Sequence, residues 1–264
     1  MPFFDLVVWA LVQGASAILP ISASAHNAIL HAAGLQAAPG AVTAAAHLGV
    51  LAALIVTQWQ DLWRMAVGVV LAARGRRDPG AHLARTWVIA SVPLLIAGIA
   101  LAARTAEAEA DLRVIAWATL AFGVILLAAD HLGMTIRKVE HTSFGTALTL
   151  GLIQVLALIP GAGRAGVAIT AARLIGYERV EAARLSFLLS VPIVAALAIH
   201  ASHGASLADL EGPAAIAGGL AFLAALTSVL FLQGFLRRGR FVPFAIYRIL
   251  LGGGLLAWIY GAGA

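Results

Sequence analysis

Of the 264 residues, 62% are hydrophobic and 11% charged, none is cysteine, and the formal net charge is +5. The charged share lies well below the roughly 25% of a soluble domain, and not one charged residue occurs between Leu6 and Gln60. A soluble core cannot absorb such a run, whereas a bilayer takes about 20 apolar residues per spanning helix. Without cysteine, disulfides, thiolate nucleophiles and thiolate metal sites are excluded. The arginines sit between apolar runs and form no continuous stripe, so the positive balance reads as membrane topology and excludes a nucleic-acid partner.

In chain order, Phe3 to Ala33 forms a segment interrupted at Pro20 and ends in a turn from Gly34 to Gly40. The start MPFFDLVV lacks a basic region and a cleavage site, so no removable leader is expected. Ala41 to Gln58 is long enough to span, with Trp59 and Trp63 as interfacial anchors. Met65 to Ala73 extends this helix or lies along the surface. Arg74, Arg76, Arg77 and Arg85 fall in the following loop. Trp87 to Ala103 is the next span, Arg104 to Arg113 a mixed loop, and Val114 to Leu132 the third span, followed by Arg137 and Lys138.

The second half repeats the plan. Ser143 to Ile175 is interrupted at Pro160, a loop holds Glu178, Arg179, Glu181 and Arg184, and Leu185 to Ser202 spans. The next loop carries His203, Asp209 and Glu211 but no lysine or arginine. Pro213 to Leu236 and Val242 to Tyr260 are the last two spans, separated by Arg237, Arg238 and Arg240.

With three full spans per half, the arginine-rich loops all fall on one side, which the positive-inside rule makes cytoplasmic. The odd number also makes the second interrupted segment enter from the opposite face. The expected fold is therefore a single all-α polytopic membrane domain over residues 1–264: an inverted repeat, Phe3 to Leu132 against Ser143 to Ala264, with two re-entrant broken helices and about six transmembrane helices.

The interruptions carry the chemistry. Leu11 to Leu30 reads LVQGASAILPISASAHNAIL and Gly151 to Ala172 reads GLIQVLALIPGAGRAGVAITAA. In each, a glutamine (Gln13, Gln154) precedes about two apolar turns and a proline, and small residues come after it: Ser22 and Ser24 in one, Gly161, Gly163 and Gly166 in the other. Proline removes a backbone donor and the small residues loosen the adjoining chain, so each reads as two half-helices around an irregular loop. Such recurring interruptions point to a binding site. Arg164, the only arginine expected at the tips, has no acidic residue within ten positions. Its fork suits phosphate oxygens, and a half-helix beginning after Gly163 adds backbone N–H groups. His26 can attack phosphorus or donate a proton, or be a satisfied core histidine; Ser22 and Ser24 can hold phosphate oxygens or cap a helix. Gln13 and Gln154 can cap the broken helices. His47 and Asp130 have no metal-ligand spacing.

These residues resemble the undecaprenyl-diphosphatase family, also called bacitracin-resistance proteins: LVQG with LPIS and His26, LIPGAGRAG at Leu158 to Gly166, SFLLSVP at Ser186 to Pro192, and FVPFAIYR at Phe241 to Arg248. The resemblance implies removal of a phosphate from the polyprenyl diphosphate carrier of bacterial wall synthesis, at the inner membrane, with a divalent metal. It places His26, Arg164 and Ser22 in catalysis and Gln13, Ser24, Gly163 and Gly166 in substrate binding.

Departures from the family pattern fall within the motifs. The family glutamate four positions after Gln13 is Ala17 here, the second serine after the proline is Ala23, and the usual PGxSRSGxT is PGAGRAGVA, with Gly163, Ala165 and Ala168 lacking hydroxyls. No metal ligands are identified. The residues are compatible with three functions: a diphosphatase with an altered site, a carrier moving a polyprenyl phosphate or other anionic lipid between leaflets, and a silent lipid-binding relative.

Overall fold

The computed structural model describes residues 1–101, 111–133, 136–203 and 206–261. Among them every regular element is helical. The first half contains α1 (Phe3–Ile18), α2 (Ala23–Ala32), α3 (Gly40–Thr57), α4 (Trp59–Ala73), α5 (Pro79–Ala100) and α6 (Leu112–Leu132). The second contains α7 (Phe144–Gln154), continued by a 3-10 turn at Val155–Leu158, then α8 (Arg164–Ile175), α9 (Arg179–Ala201), α10 (Pro213–Leu236) and α11 (Val242–Gly261). Six of these, α3, α5, α6, α9, α10 and α11, are long and apolar enough to cross a membrane. Large apolar side chains such as Ile99, Leu132 and Leu250 point outward, as a lipid-facing surface requires.

Both interrupted segments turn back to the end they start from. The backbone N–H of Gln36, beyond α2, donates to Asp5 Oδ2 of α1 at 3.5 Å. Thr142, just before α7, shares a 2.7 Å hydroxyl hydrogen bond with Tyr177, just beyond α8. The two segments come from opposite ends of the bundle. The first shares its end with the starts of α3 and α10, where Met1, Gly40 and Pro213 line one recess.

At the other end Asp61 takes both Nε and NH2 of Arg184, at 2.7 and 2.6 Å. Asp130, 1% exposed at the end of α6, accepts from Arg179 Nε at 2.7 Å and from the Phe241 N–H at 3.1 Å. It also pairs with Arg173 at 3.3 Å. Arg173, Arg179 and Arg184 thus tie the ends of α4, α6, α8 and α9 together, and Asp130 joins the start of α11 to them through the Phe241 N–H.

Three boundaries differ from the sequence reading. Met65 to Ala73 belongs to a separate helix, α4, set off from α3 at Gln58. The span expected from Trp87 starts at Pro79, because Asp78 caps the helix by accepting from the Gly80 N–H at 2.8 Å and proline suits the first helical position. Arg85 is therefore helical. The span expected from Leu185 begins at Arg179, so Arg179, Glu181 and Arg184 lie on α9, where their long side chains reach partners at the bundle end. Most of the Arg104 to Arg113 loop, and Ala103 before it, lie outside the described residues; Asp111 caps α6 through the Arg113 N–H.

The membrane supplies little hydrophobic drive between helices, so close backbone approach carries the packing. A Cβ on Gly49 of α3 would stand 2.1 Å from the Gly218 carbonyl oxygen of α10, so only glycine permits that crossing. Where α11 crosses α6, a Cβ on Gly252 would lie 2.6 Å from the Leu120 nitrogen.

Candidate functional site

Pro20 cannot extend α1, and the chain restarts at Ser22, whose φ of 73° makes it the one non-glycine residue with positive φ among those described. Ser22 is the N-cap of α2, its hydroxyl accepting from the Ala25 N–H at 3.4 Å. Its carbonyl lies 2.7 Å from Nδ1 of His26. A carbonyl only accepts, so Nδ1 carries the imidazole proton and Nε2 keeps the lone pair. Nε2 is 2.7 Å from the Tyr247 hydroxyl of α11, and the two rings stack with centroids 5.7 Å apart.

The second break has the same form. Gly163, with φ 74°, is the N-cap of α8 and supplies no capping side chain. The first intrahelical bond runs from the Val167 N–H to the Gly163 carbonyl at 2.9 Å. The amides before Val167 have no intrahelical acceptor, and they form the positive end of the helix dipole beside Arg164. Arg164 itself has a buried NH1 without a hydrogen-bond partner.

The tips meet. A Cβ on Gly163 would lie 3.4 Å from Cα of Ser22, and one on Gly166 would lie 3.9 Å from Cβ of Pro20. Thr119 of α6 bridges them, donating toward Ser22 Oγ at 3.4 Å and the Gly161 carbonyl at 3.3 Å.

Arg164 is not the only arginine here. Arg248 of α11 is fully buried, and its NH2 donates to the carbonyls of Gly161 and Ala162 at 2.9 and 2.7 Å. Its NH1 rests against the first turn of α8, where a Cβ on Gly166 would clash with it at 2.2 Å. In the sequence Arg248 falls inside the last span, 82 residues from Gly166. The available signal was a charged residue in the middle of an apolar helix, which is a functional candidate by default. Tyr247, its neighbour, reaches the other tip.

The structure brings together Ser22, His26, Gly163, Arg164 and Gly166. Gln13 lies half-buried on α1 and Ser24 half-buried in the first turn of α2, and neither makes a side-chain hydrogen bond among the described residues. Neither glutamine caps a broken helix: Gln154 instead donates to the Ala90 carbonyl of α5 at 3.3 Å. His47 of α3 lies within electrostatic reach of Arg164, its Nδ1 buried without a partner.

Among the described residues a divalent metal finds no matching donors at the tips. Among the described residues no group of three histidines or carboxylates is suitably placed. Position 17, one helical turn after Gln13, is alanine, and Asp61 and Asp130 are engaged by arginines. What the tips offer is one imidazole whose Nε2 lone pair meets only the Tyr247 hydroxyl, together with hydroxyls, helix-end amides and two guanidinium groups, a set suited to phosphate oxygens.

Six helices long and apolar enough to cross a membrane, with two re-entrant breaks whose tips meet, define a polytopic helical membrane protein. The family model described as bacitracin resistance protein BacA matches residues 6–254. The chain belongs to that family. It is 43% identical to a Rhodospirillum rubrum protein named undecaprenyl-diphosphatase 1, with 98% of this chain and 96% of that protein aligned. It is 39% identical to the undecaprenyl-diphosphatase of Maricaulis maris, covering 98% and 99% of the two chains. To that of a Jannaschia species it is 38% identical, covering 98% and 100%.

Proposed function

We propose that this protein binds the polyprenyl diphosphate carrier lipid of bacterial wall synthesis in the plasma membrane and acts as an undecaprenyl-diphosphatase with an altered site. The observation that carries the reading is the meeting of the two tips, which sets His26 and Ser22 from one segment against Arg164 and the uncapped start of α8 from the other. The opposite entry of the two segments, and the nearly equal φ at Ser22 and Gly163, support the inverted-repeat reading of the single domain.

In this reading Arg164 and the α8 amides hold the terminal phosphate and offset the charge that develops on it. Nε2 of His26, the nitrogen with the lone pair, attacks the terminal phosphorus. The bond from phosphorus to the bridging oxygen breaks, and polyprenyl monophosphate leaves with the electron pair. Water then attacks the phosphoryl-histidine, releasing inorganic phosphate and restoring the imidazole. In this reading the Ser22 hydroxyl turns from its contact with Thr119 to a phosphate oxygen.

One observation favours the carrier reading as second choice: Ala17 and the glycine and alanines of PGAGRAGVA leave no carboxylate and few hydroxyls to orient water, while the anion-binding groups remain. Phosphate release from polyprenyl diphosphate by the purified protein, measured with a proteoliposome assay of lipid movement, separates the two. Release abolished in His26→Ala supports the enzyme, and movement without release supports the carrier.

A further inference from the structure

Two arginine charges stand at the tips, Arg248 fully buried and Arg164 half-buried with its NH1 out of contact with solvent, and among the described residues no carboxylate pairs with either. Arg248 is 0% exposed; NH2 donates to two carbonyls, while Nε and NH1 have no partner. Among the described residues neither Arg248 nor Arg164 forms an ion pair. The carboxylates that do, Asp61, Asp130, Glu140 and Glu181, all serve arginines at the bundle end. Carbonyl dipoles satisfy hydrogen bonds but do not cancel a charge. In a medium of low polarity such a charge acts over several ångströms without contact.

The missing side chain at Gly166 is what admits this charge to the site. With NH1 pressed against the first turn of α8, the guanidinium adds to the helix dipole and to Arg164, which opens that same turn. A ligand with one negative charge balances Arg164 alone. One with two or more balances both.

We propose that Arg248 is a specificity-determining positioning residue, setting the site to prefer a lipid diphosphate over a lipid monophosphate. The proposal rests on the anionic-lipid reading above and names what that reading leaves open, the number of charges the site selects. Arg248 acts through its field and through the Gly161 and Ala162 carbonyls that it holds, without contacting the ligand.

The test measures binding of three polyprenyl probes of equal chain length to the full chain in detergent: a methylene-bridged diphosphonate that resists hydrolysis, the monophosphate and the alcohol. The parent should bind them in that order, with steps of about tenfold or more. Arg248→Gln, which keeps a donor for the loop carbonyls but removes the charge, should weaken the diphosphonate on the order of thirtyfold and the monophosphate less than about threefold. Arg248→Lys should retain the preference. A loop clamp without electrostatic function would weaken both ligands alike, so equal losses, or none, overturn the proposal. Should Arg248→Gln not purify as a single species, the parent and Arg248→Lys decide: equal binding of mono- and diphosphorylated lipid by either also overturns it. Arg164→Gln separates the two claims. Loss of both phosphorylated lipids in that variant upholds the underlying reading even if Arg248 proves neutral, and unchanged binding of both removes the reading and the proposal together.

Discussion

Nε2 of His26 and the hydroxyl oxygen of Tyr247 lie 2.7 Å apart, joining the first broken segment to the last helix across 221 positions of chain. With Nδ1 held by the Ser22 carbonyl, the imidazole is fixed at both nitrogens, and its reactive lone pair faces the Tyr247 hydroxyl. Tyr247→Phe should leave lipid binding intact and lower phosphate release by about tenfold, because the ring loses one of its two anchors. His26→Ala, which removes the attacking nitrogen itself, should abolish release. Phosphate release and lipid binding measured on the same preparations check both; a Tyr247→Phe enzyme with unchanged turnover would show the bond to be incidental.

The hydroxyls and carboxylate missing from the tips can be returned. Ala17→Glu with Gly163→Ser, Ala165→Ser and Ala168→Thr should raise diphosphate hydrolysis by at least about 10²-fold, the low end of what a positioned acid or base contributes. Serine at 163 must adopt a φ near 74°, which Ser22 already does in the other tip. A Cβ there meets Ser22 and Arg248 only at 3.4 to 3.7 Å, ordinary contact distances. Normal folding and binding without a gain in phosphate release would count against the enzyme reading.

Asp130 is the sole carboxylate among the described residues paired with Arg173 and Arg179, and both its side chain and that of Arg173 are fully buried. Asp130→Ala should cost about 3 to 5 kcal/mol, because it removes a buried acceptor shared by Arg173, Arg179 and the Phe241 N–H. Thermal unfolding in detergent should show a fall in Tm much larger than that of Glu140→Ala, whose carboxylate is half exposed.

The same end of the bundle contains a mild acid sensitivity. Partial burial works against ionisation of Glu140, but its own backbone N–H and the nearby Arg184 outweigh that and hold its carboxyl below the ordinary 4.5. A carboxylate depressed in the folded state contributes stability above its unfolded value and loses that contribution as pH falls through the lower, folded one. Glu140→Gln should therefore be slightly less stable than the parent at neutral pH, by less than about 1 kcal/mol for so exposed a pair. The difference should close below the carboxylate range, as unfolding curves taken across pH would record.

Topology is testable because the chain has no cysteine. Arg76→Cys and Arg238→Cys should be shielded from an impermeant thiol reagent in intact cells, and Glu211→Cys should be labelled. The reverse pattern would invert the orientation drawn from the arginines.

Composition and the charge-free run from Leu6 to Gln60 were enough to establish a polytopic helical protein, and the two proline interruptions located the re-entrant breaks. Both are local signals: a bilayer demands long apolar helices, and proline with small residues stops them wherever they occur. Helix starts were less legible. The charged stretches before Trp87 and Leu185 looked like loops, yet Asp78 caps one helix early and the bundle-end ion pairs keep the other helical through Arg184. Half of the residues that meet at the tips were visible, since Ser22, His26, Gly163 and Arg164 lie in the interrupted motifs themselves. Thr119, Tyr247 and Arg248 come from two other helices, and only the packing of α6 against α11, permitted by Gly123 and Gly252, carries them to the tips. No local pattern encodes that approach: it depends on which helices cross closely enough for one guanidinium and one phenol to reach segments 86 and 221 residues away.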